Sequence, residues 1–378
     1  MRPSSKVRLR SPITPLVPNE LFAVDDRSAQ VFVRPETGNV ARLRCGERVV
    51  EQETARGAAV ITVDGLAADT PFTIHVLDQN DRIVDAIDGR TRPRFEPTTK
   101  FATVSDVHLG SEGFGPLCQG DHGDDKVPYP VRCLRGALTE AIAWGAEAIV
   151  IKGDLTDHGY SHEWEEAAEE LADLPVPVLV TPGNHDVYKS REVEAPRAIR
   201  DLPLNYEPVQ YLDLDSVRIV LADTSLPSKG TGKLSTVAEP IAAAFETDSA
   251  VWLGLHHNIQ RTPLPWFWPA GISSIDANPV LRQLAELQPS AFISSGHTHR
   301  NRVHNLNGLT YTEVAATSDF PGVWAGYEVG PTMMRQTVRR IAAPDAVAWT
   351  EGTRAFFGTF WGRWSQGRLD DRCVDLPL

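Results

Sequence analysis

Five short apolar runs in this chain each end in a block of Asp, Asn or His, and that repeated pairing limits the fold more than any other feature. Residues 101–105 lead into Asp106-Val107-His108, and residues 148–152 into Gly153-Asp154-Leu155-Thr156-Asp157. Residues 177–182 lead into Gly183-Asn184-His185-Asp186, 251–255 into His256-His257, and 292–295 into Gly296-His297-Thr298-His299. Apolar runs of this length suit strands buried on both faces, and their alternation with helical stretches is the pattern of an α/β domain. Ligands of open α/β sheets lie beyond the C-terminal ends of the strands. Five segments therefore aim their polar residues at one edge.

Carboxylate, amide and imidazole donors with no cysteine among them suit Mn, Fe or Zn rather than a metal that prefers thiolate. Seven candidates, Asp106, His108, Asp154, Asn184, His256, His297 and His299, exceed what one ion needs and suit two ions sharing a carboxylate. On an extended strand end, side chains at i and i+2 project the same way, so D-x-H and G-H-x-H are expected to embrace one centre each. The same alternation favours His256 over His257 as a ligand. Gly153, Gly183 and Gly296 permit sharp turns and close backbone approach. His122, His158, His162 and His304 fall outside the set and are read as loop or supporting residues.

The length of 378 residues predicts more than one domain. Alternating β-branched runs at 29–33, 59–63, 72–76 and 82–84 predict a small antiparallel β-sandwich over residues 20–97, with a proline-bearing linker at 92–97 and an N-terminal extension at 1–19. An α/β domain is expected over 98–330, and further strands with an aromatic tail (Phe356, Phe357, Phe360, Trp361, Trp364) over 331–378, packed on the main body. Apolar spacing predicts one helix through Val131, Leu134, Leu138 and Ile142. A second runs through Trp164, Ala168 and Leu171 behind an N-cap at Ser161, with Glu163, Glu165, Glu166, Glu169 and Glu170 on its solvated face.

Thirty-seven Lys and Arg against fifty Asp and Glu leave a net charge of −13, which argues against long nucleic acid or anionic lipid as partner. Four cysteines, at 45, 118, 133 and 373, are too few for a disulfide scaffold, so a cytoplasmic protein with free thiols is expected. No apolar window reaches the length of a membrane span.

The order D-x-H, G-D-x-x-D, G-N-H-D, H-H, G-H-x-H resembles the calcineurin-like metallophosphoesterase superfamily over about residues 100–330. The resemblance implies a four-layer β-sandwich flanked by helices. It also implies a binuclear centre of divalent or mixed-valence transition metals, with Asp106, His108, Asp154 and His299 at one ion and Asp154, Asn184, His256 and His297 at the other. Asp154 would bridge, a metal-bound hydroxide would attack the phosphoester, and His185 would serve the departing oxygen. The segment from Gly65 to Val76 is similar to the turn and strand late in a fibronectin type III module.

Purple acid phosphatases carry Gly where His108 stands here and Tyr where Asp157 stands. Serine/threonine protein phosphatases carry Arg-Gly where this chain has His158-Gly159, and Glu in place of Asp186. The run 153–159 with Gly183-Asn184-His185-Asp186 is most similar to bacterial class III cyclic nucleotide phosphodiesterases. A small phosphodiester is accordingly the expected substrate. The alternatives are a phosphomonoester in the same kind of site, or a non-catalytic binding protein working through its N-terminal sandwich. Trp266 and Trp268 are candidate stacking walls, Arg300 a candidate anion contact, and residues 111–130 a candidate rim holding Cys118.

Overall fold

The structure is a computed structural model and describes residues 16–36, 38–115, 118–119, 127–188, 195–201 and 206–378. Most of the expected N-terminal extension, and residues 116, 117 and 120–126 of the expected rim, His122 among them, lie outside the described residues.

Two six-stranded sheets stack face to face from about residue 99 onward. The first runs in the order Val178–Thr181, Ile149–Lys152, Thr99–Val104, Val323–Gly330, Met333–Arg340, Cys373–Pro377. Its first three strands are parallel and the rest antiparallel. The second runs Val209–Asp213, Val217–Ala222, Ala250–Leu255, Phe292–Ser295, Leu309–Glu313, Arg302–Leu306, parallel except at its two edge strands.

Period-two alternation sorts the side chains. Phe101, Val150, Ile219, Leu221, Trp252, Phe292 and Tyr327 meet between the sheets. Val104, Ile149 and Ile151 face outward onto the helices Tyr129–Ala143 and Ser161–Leu171, while Val220, Leu253 and Ile293 face Ala238–Phe245 and Ser274–Leu287. Both faces of each sheet are covered, which is why the central strands are apolar throughout. The result is four layers, helix, sheet, sheet, helix.

Both expected helices form, the second capped by Tyr160, one residue before Ser161. Glu163 departs from the expected solvated face. It is buried, and its carboxylate accepts from the backbone N–H groups of His158 and Tyr160, closing the turn ahead of its own helix. The segment after 330 supplies two of these strands. Met333–Arg340 and Cys373–Pro377 are hydrogen-bonded members of the first sheet, and Met334 and Val338 lie in the core between the sheets.

The N-terminal region holds seven strands rather than four, in a three-stranded and a four-stranded antiparallel sheet around Val31, Leu43, Ile61, Ile74 and Val76. Arg48–Glu53, an edge strand that buries none of its residues, carries no alternation that sequence could show. A polar seam joins these sheets to the four layers. The Gln30 side chain pairs with both the N–H and the C=O of Arg340, at 2.8 and 3.0 Å. Buried Glu351 bonds Arg34 on one side and Arg340 (2.9 Å) on the other. Glu351→Ala would leave the buried Arg340 guanidinium without its counter-charge, and is expected to cost about 3–5 kcal/mol in denaturant unfolding. A loss near the ~0.5 kcal/mol of an ordinary surface change would show that the seam does not hold the two parts together.

Among the described residues no helix is long and apolar enough to cross a membrane. Cys45, Cys133 and Cys373 are free thiols, and the Cys118 side chain lies outside the described residues.

Candidate metal centre

The five polar blocks meet at one end of the paired sheets, although not through the geometry expected of extended strand ends. Asp106 (φ 55°), His108 (φ 56°), Asp154 (φ 48°), His297 (φ 66°) and His299 (φ 51°) all occupy the left-handed region. They make up five of the twelve non-glycine residues with positive φ among those described. Each such residue costs about 1–3 kcal/mol and persists only where its surroundings over-determine it. The convergence of D-x-H and G-H-x-H therefore comes from paired left-handed turns rather than from strand alternation. Gly183 and Gly296 are required by approach: a Cβ on either would strike the carboxylate of Asp154 or Asp106, respectively.

Asp154 stands between two groups of donors. Its Oδ1 accepts from the His185 backbone N–H (2.8 Å), and its Oδ2 lies 3.3 Å from His256 Nε2 and 3.9 Å from His108 Nε2. His256 Nδ1 donates to Lys152 O (2.8 Å), and its Nε2 lies 3.1 Å from Asn184 Oδ1 and 3.2 Å from His297 Nδ1. On the other side, His299 Nε2 lies 3.3 Å from Asp106 Oδ1, and Asp106, His108 and His299 can present one donor atom each within 4.8 Å of one another. All seven expected ligand residues are thus brought together.

The donor set fits a pair of cations. His108 Nε2 is buried without a hydrogen-bond partner. Burial alone would raise the carboxyls of Asp106 and Asp154. The histidines beside them, His299 for Asp106 and His256 for Asp154, outweigh it and hold both below the usual carboxylate range. Burial, with His256 beside it, pushes His297 down to about 4, so it stays the neutral imidazole that a metal needs.

His257 lies closer to the site than alternation predicts. Its ring is 4.9 Å from His256 and 5.0 Å from His297, its Nδ1 is 2.9 Å from Thr224 Oγ1, and its Nε2 is buried without a hydrogen-bond partner. His256 and His257 turn off the strand instead of continuing it, so the argument from opposite faces does not separate them.

His185 rests edge-on against His108, with ring centroids 4.5 Å apart. Its Nδ1 is 3.0 Å from Asp157 O and 3.1 Å from Asp157 Oδ1. Burial works to lower its pKa, but Asp154 and Asp157 outweigh it and lift His185 to about 9.

Three supporting carboxylates were not among the expected site residues. Asp157 faces both His108 Nδ1 (3.3 Å) and His185, and the second Asp of G-D-x-x-D could have flagged it. Asp186 accepts from Gly183 N (2.8 Å), Thr156 N (2.8 Å) and Thr156 Oγ1 (2.6 Å), stapling two of the loops together; burial pushes its carboxyl up to about 6. Asp319 accepts from His299 Nδ1 and lies in a stretch with no motif at all.

Arg300, expected as a candidate anion contact, is paired within the protein. Its guanidinium makes two hydrogen bonds to Glu313, at 2.7 and 3.0 Å, and lies over the Trp364 ring, so its charge is already matched. Trp266 is 71% exposed, and Trp268 stacks at a tilt on Trp364 with centroids 4.5 Å apart.

The sequence profile described as calcineurin-like phosphoesterase matches residues 99–301, which is more than half of the chain. The chain belongs to the calcineurin-like phosphoesterase family. The chain is 26% identical over 164 residues to a protein of Fibrobacter succinogenes named a probable cyclic nucleotide phosphodiesterase, covering 42% of this chain and 56% of that one. A Rhodococcus erythropolis protein of the same name is 29% identical over 139 residues, covering 35% and 42%. The chain thus spans about half the length of these relatives, whose name is that of the branch its motifs resemble. Among solved structures, a dimetal phosphatase from Danio rerio is 13% identical with a TM-score of 0.47, covering 66% of this chain and 100% of the other. A purple acid phosphatase from yellow lupin is 11% identical with a TM-score of 0.46, covering 85% and 72%.

Proposed function

We propose that this phosphoesterase hydrolyses small phosphodiesters, cyclic-nucleotide-like or otherwise, at a binuclear centre, and the observation that carries the reading is Asp154 facing donors on both sides. Asp106, His108, Asp154 and His299 would hold the first ion; Asp154, Asn184, His256 and His297 the second, with Mn, Fe and Zn suited to such donors. Ions bound there would polarise phosphoryl oxygens and bring the pKa of a coordinated water down to about 7.

The chain's own contribution is positioning and a proton. Asp157 and its carbonyl hold His185 by Nδ1, leaving Nε2 to serve the departing oxygen. Left-handed turns fix the ligand side chains before substrate arrives, so little reorganisation accompanies the reaction. Trp266 and Trp268 would offer a stacking surface to a base or aryl group. We read the seven N-terminal strands as a fibronectin type III-like module over residues 20–97, ahead of a catalytic region at 98–330 that recruits strands from 331–378; the three-plus-four antiparallel arrangement supports the first part of that division.

Diester preference rests on charge. A monoester carries nearly two negative charges at phosphorus and a diester one, and Arg300, a candidate to meet the second, is held by Glu313. The test is metal analysis of purified protein, then hydrolysis of bis-aryl, cyclic-nucleotide and mono-aryl phosphates before chelation, after it and after restoring Mn²⁺. Activity should vanish and return with metal, and kcat/KM should be higher for the diesters. Equal or better turnover of monoesters would remove the diester reading, and activity indifferent to chelation would remove the metal centre.

A further inference from the structure

We infer that Trp361, in the C-terminal aromatic tail, is a positioning residue for the first ion, because its indole N–H fixes the Asp319 carboxylate that in turn fixes His299. The inference rests on the metal-site reading above. His299 Nε2 faces Asp106, and its Nδ1 donates to Asp319 Oδ2. The other oxygen of that carboxylate, Oδ1, accepts from Trp361 Nε1 at 3.1 Å, and the Trp361 ring meets the His299 ring edge-on at 5.7 Å.

A carboxylate behind a ligand histidine sets which ring nitrogen carries the proton and which way the ring faces. Bound through one oxygen only, it could still turn about its Cβ–Cγ bond. With Oδ1 held by the indole, Asp319 offers Oδ2 in a single orientation, and His299 keeps Nε2 toward Asp106.

Two further indoles grip the same loops, and the comparison isolates what is particular to Trp361. Trp349 Nε1 donates to Ser318 O (2.7 Å) and Trp364 Nε1 to Thr298 O (3.1 Å). Those bonds end on backbone carbonyls, whereas that of Trp361 ends on the side chain touching His299. Trp361 lies on the short helix Phe360–Ser365, which the chain enters through two left-handed non-glycine residues, Phe357 (φ 47°) and Thr359 (φ 73°). Such a turn at a β-branched residue is unfavourable in isolation. It is offset by packing that holds Trp361 between Phe114 (5.2 Å) and Phe356 (6.4 Å).

The test uses Trp361→Phe in the full chain, which keeps a ring and removes the donor, with Mn²⁺ alone as probe in equilibrium chelator competition. One of two bound equivalents should weaken about 10- to 100-fold, the range for losing an outer partner of a metal ligand. The other equivalent, and the far-ultraviolet circular dichroism of the metal-free protein, should stay unchanged. Phe357→Leu, an exposed tail ring, should keep both equivalents. In an Asp319→Asn background, Trp361→Phe should add nothing further, since it acts through that carboxylate. A purely structural role would instead give the same loss with or without Asp319, and that additivity would overturn the inference. If the unsubstituted protein holds two equivalents and Trp361→Phe holds both as tightly, the inference falls and the metal site stands. If the unsubstituted protein holds fewer than two, the site reading falls and takes the inference with it.

Discussion

Asp154→Asn is expected to strip both ions and reduce turnover on the order of 10³-fold or more. Its Oδ2 faces His256 on one side and His108 on the other, so one substitution removes a negative charge from both clusters. Charge stabilisation by bound ions is worth several kcal/mol, and each 1.36 kcal/mol is a factor of ten in rate. The amide keeps the shape and can still accept from His185 N through its oxygen, so the fold should survive and far-ultraviolet circular dichroism should not change. Metal analysis beside the rate decides the matter. Full activity with one ion per chain, in the unsubstituted protein or in this variant, would sink the binuclear reading.

His185→Ala should behave differently, lowering kcat by roughly 10²- to 10⁴-fold while metal content stays intact. Its ring lies against His108, and its Nδ1 is held by Asp157 rather than by either donor cluster. Asp157→Asn should fall short of that loss on turnover but weaken metal as well, because Asp157 also faces His108 Nδ1. A loss of metal in His185→Ala as large as in His299→Ala would mean that His185 is a ligand.

Which residues meet at the centre was legible in the sequence, while how they meet was not. Five apolar runs ending in Asp, Asn and His sufficed to place seven donors at one sheet edge, because strand direction and burial determine where such blocks emerge. Backbone handedness left no trace in residue type: left-handed φ values are ordinary for glycine, yet here Asp106, His108, Asp154, His297 and His299 adopt them, held by the surrounding loops. Asp319 escaped notice for another reason. It reaches His299 from twenty residues away and is gripped by Trp361 from forty-two away, so no local pattern marks it. Arg300 shows the reverse case. A cation beside a metal block suggested a phosphate contact, but Glu313, thirteen residues on, already matched it.

The strand Glu20–Val24 is completed by residues from the far end of the chain. Arg372, fully buried, donates to Phe22 O at 2.8 Å across 350 residues of sequence, reaches Glu20 Oε1 at 2.7 Å, and lies over the Phe22 ring. Val24 N approaches Cys373 Sγ across 349. During synthesis at about 5–20 residues per second, that early strand would wait tens of seconds for its counterpart to leave the ribosome. Phe22 and Ala23, which end in the core between the two six-stranded sheets, would lack this closure over that interval. A chain that stops just short of Arg372 would lose this closure while keeping every proposed metal ligand, so its vulnerability would be to aggregation and proteolysis rather than to loss of chemistry.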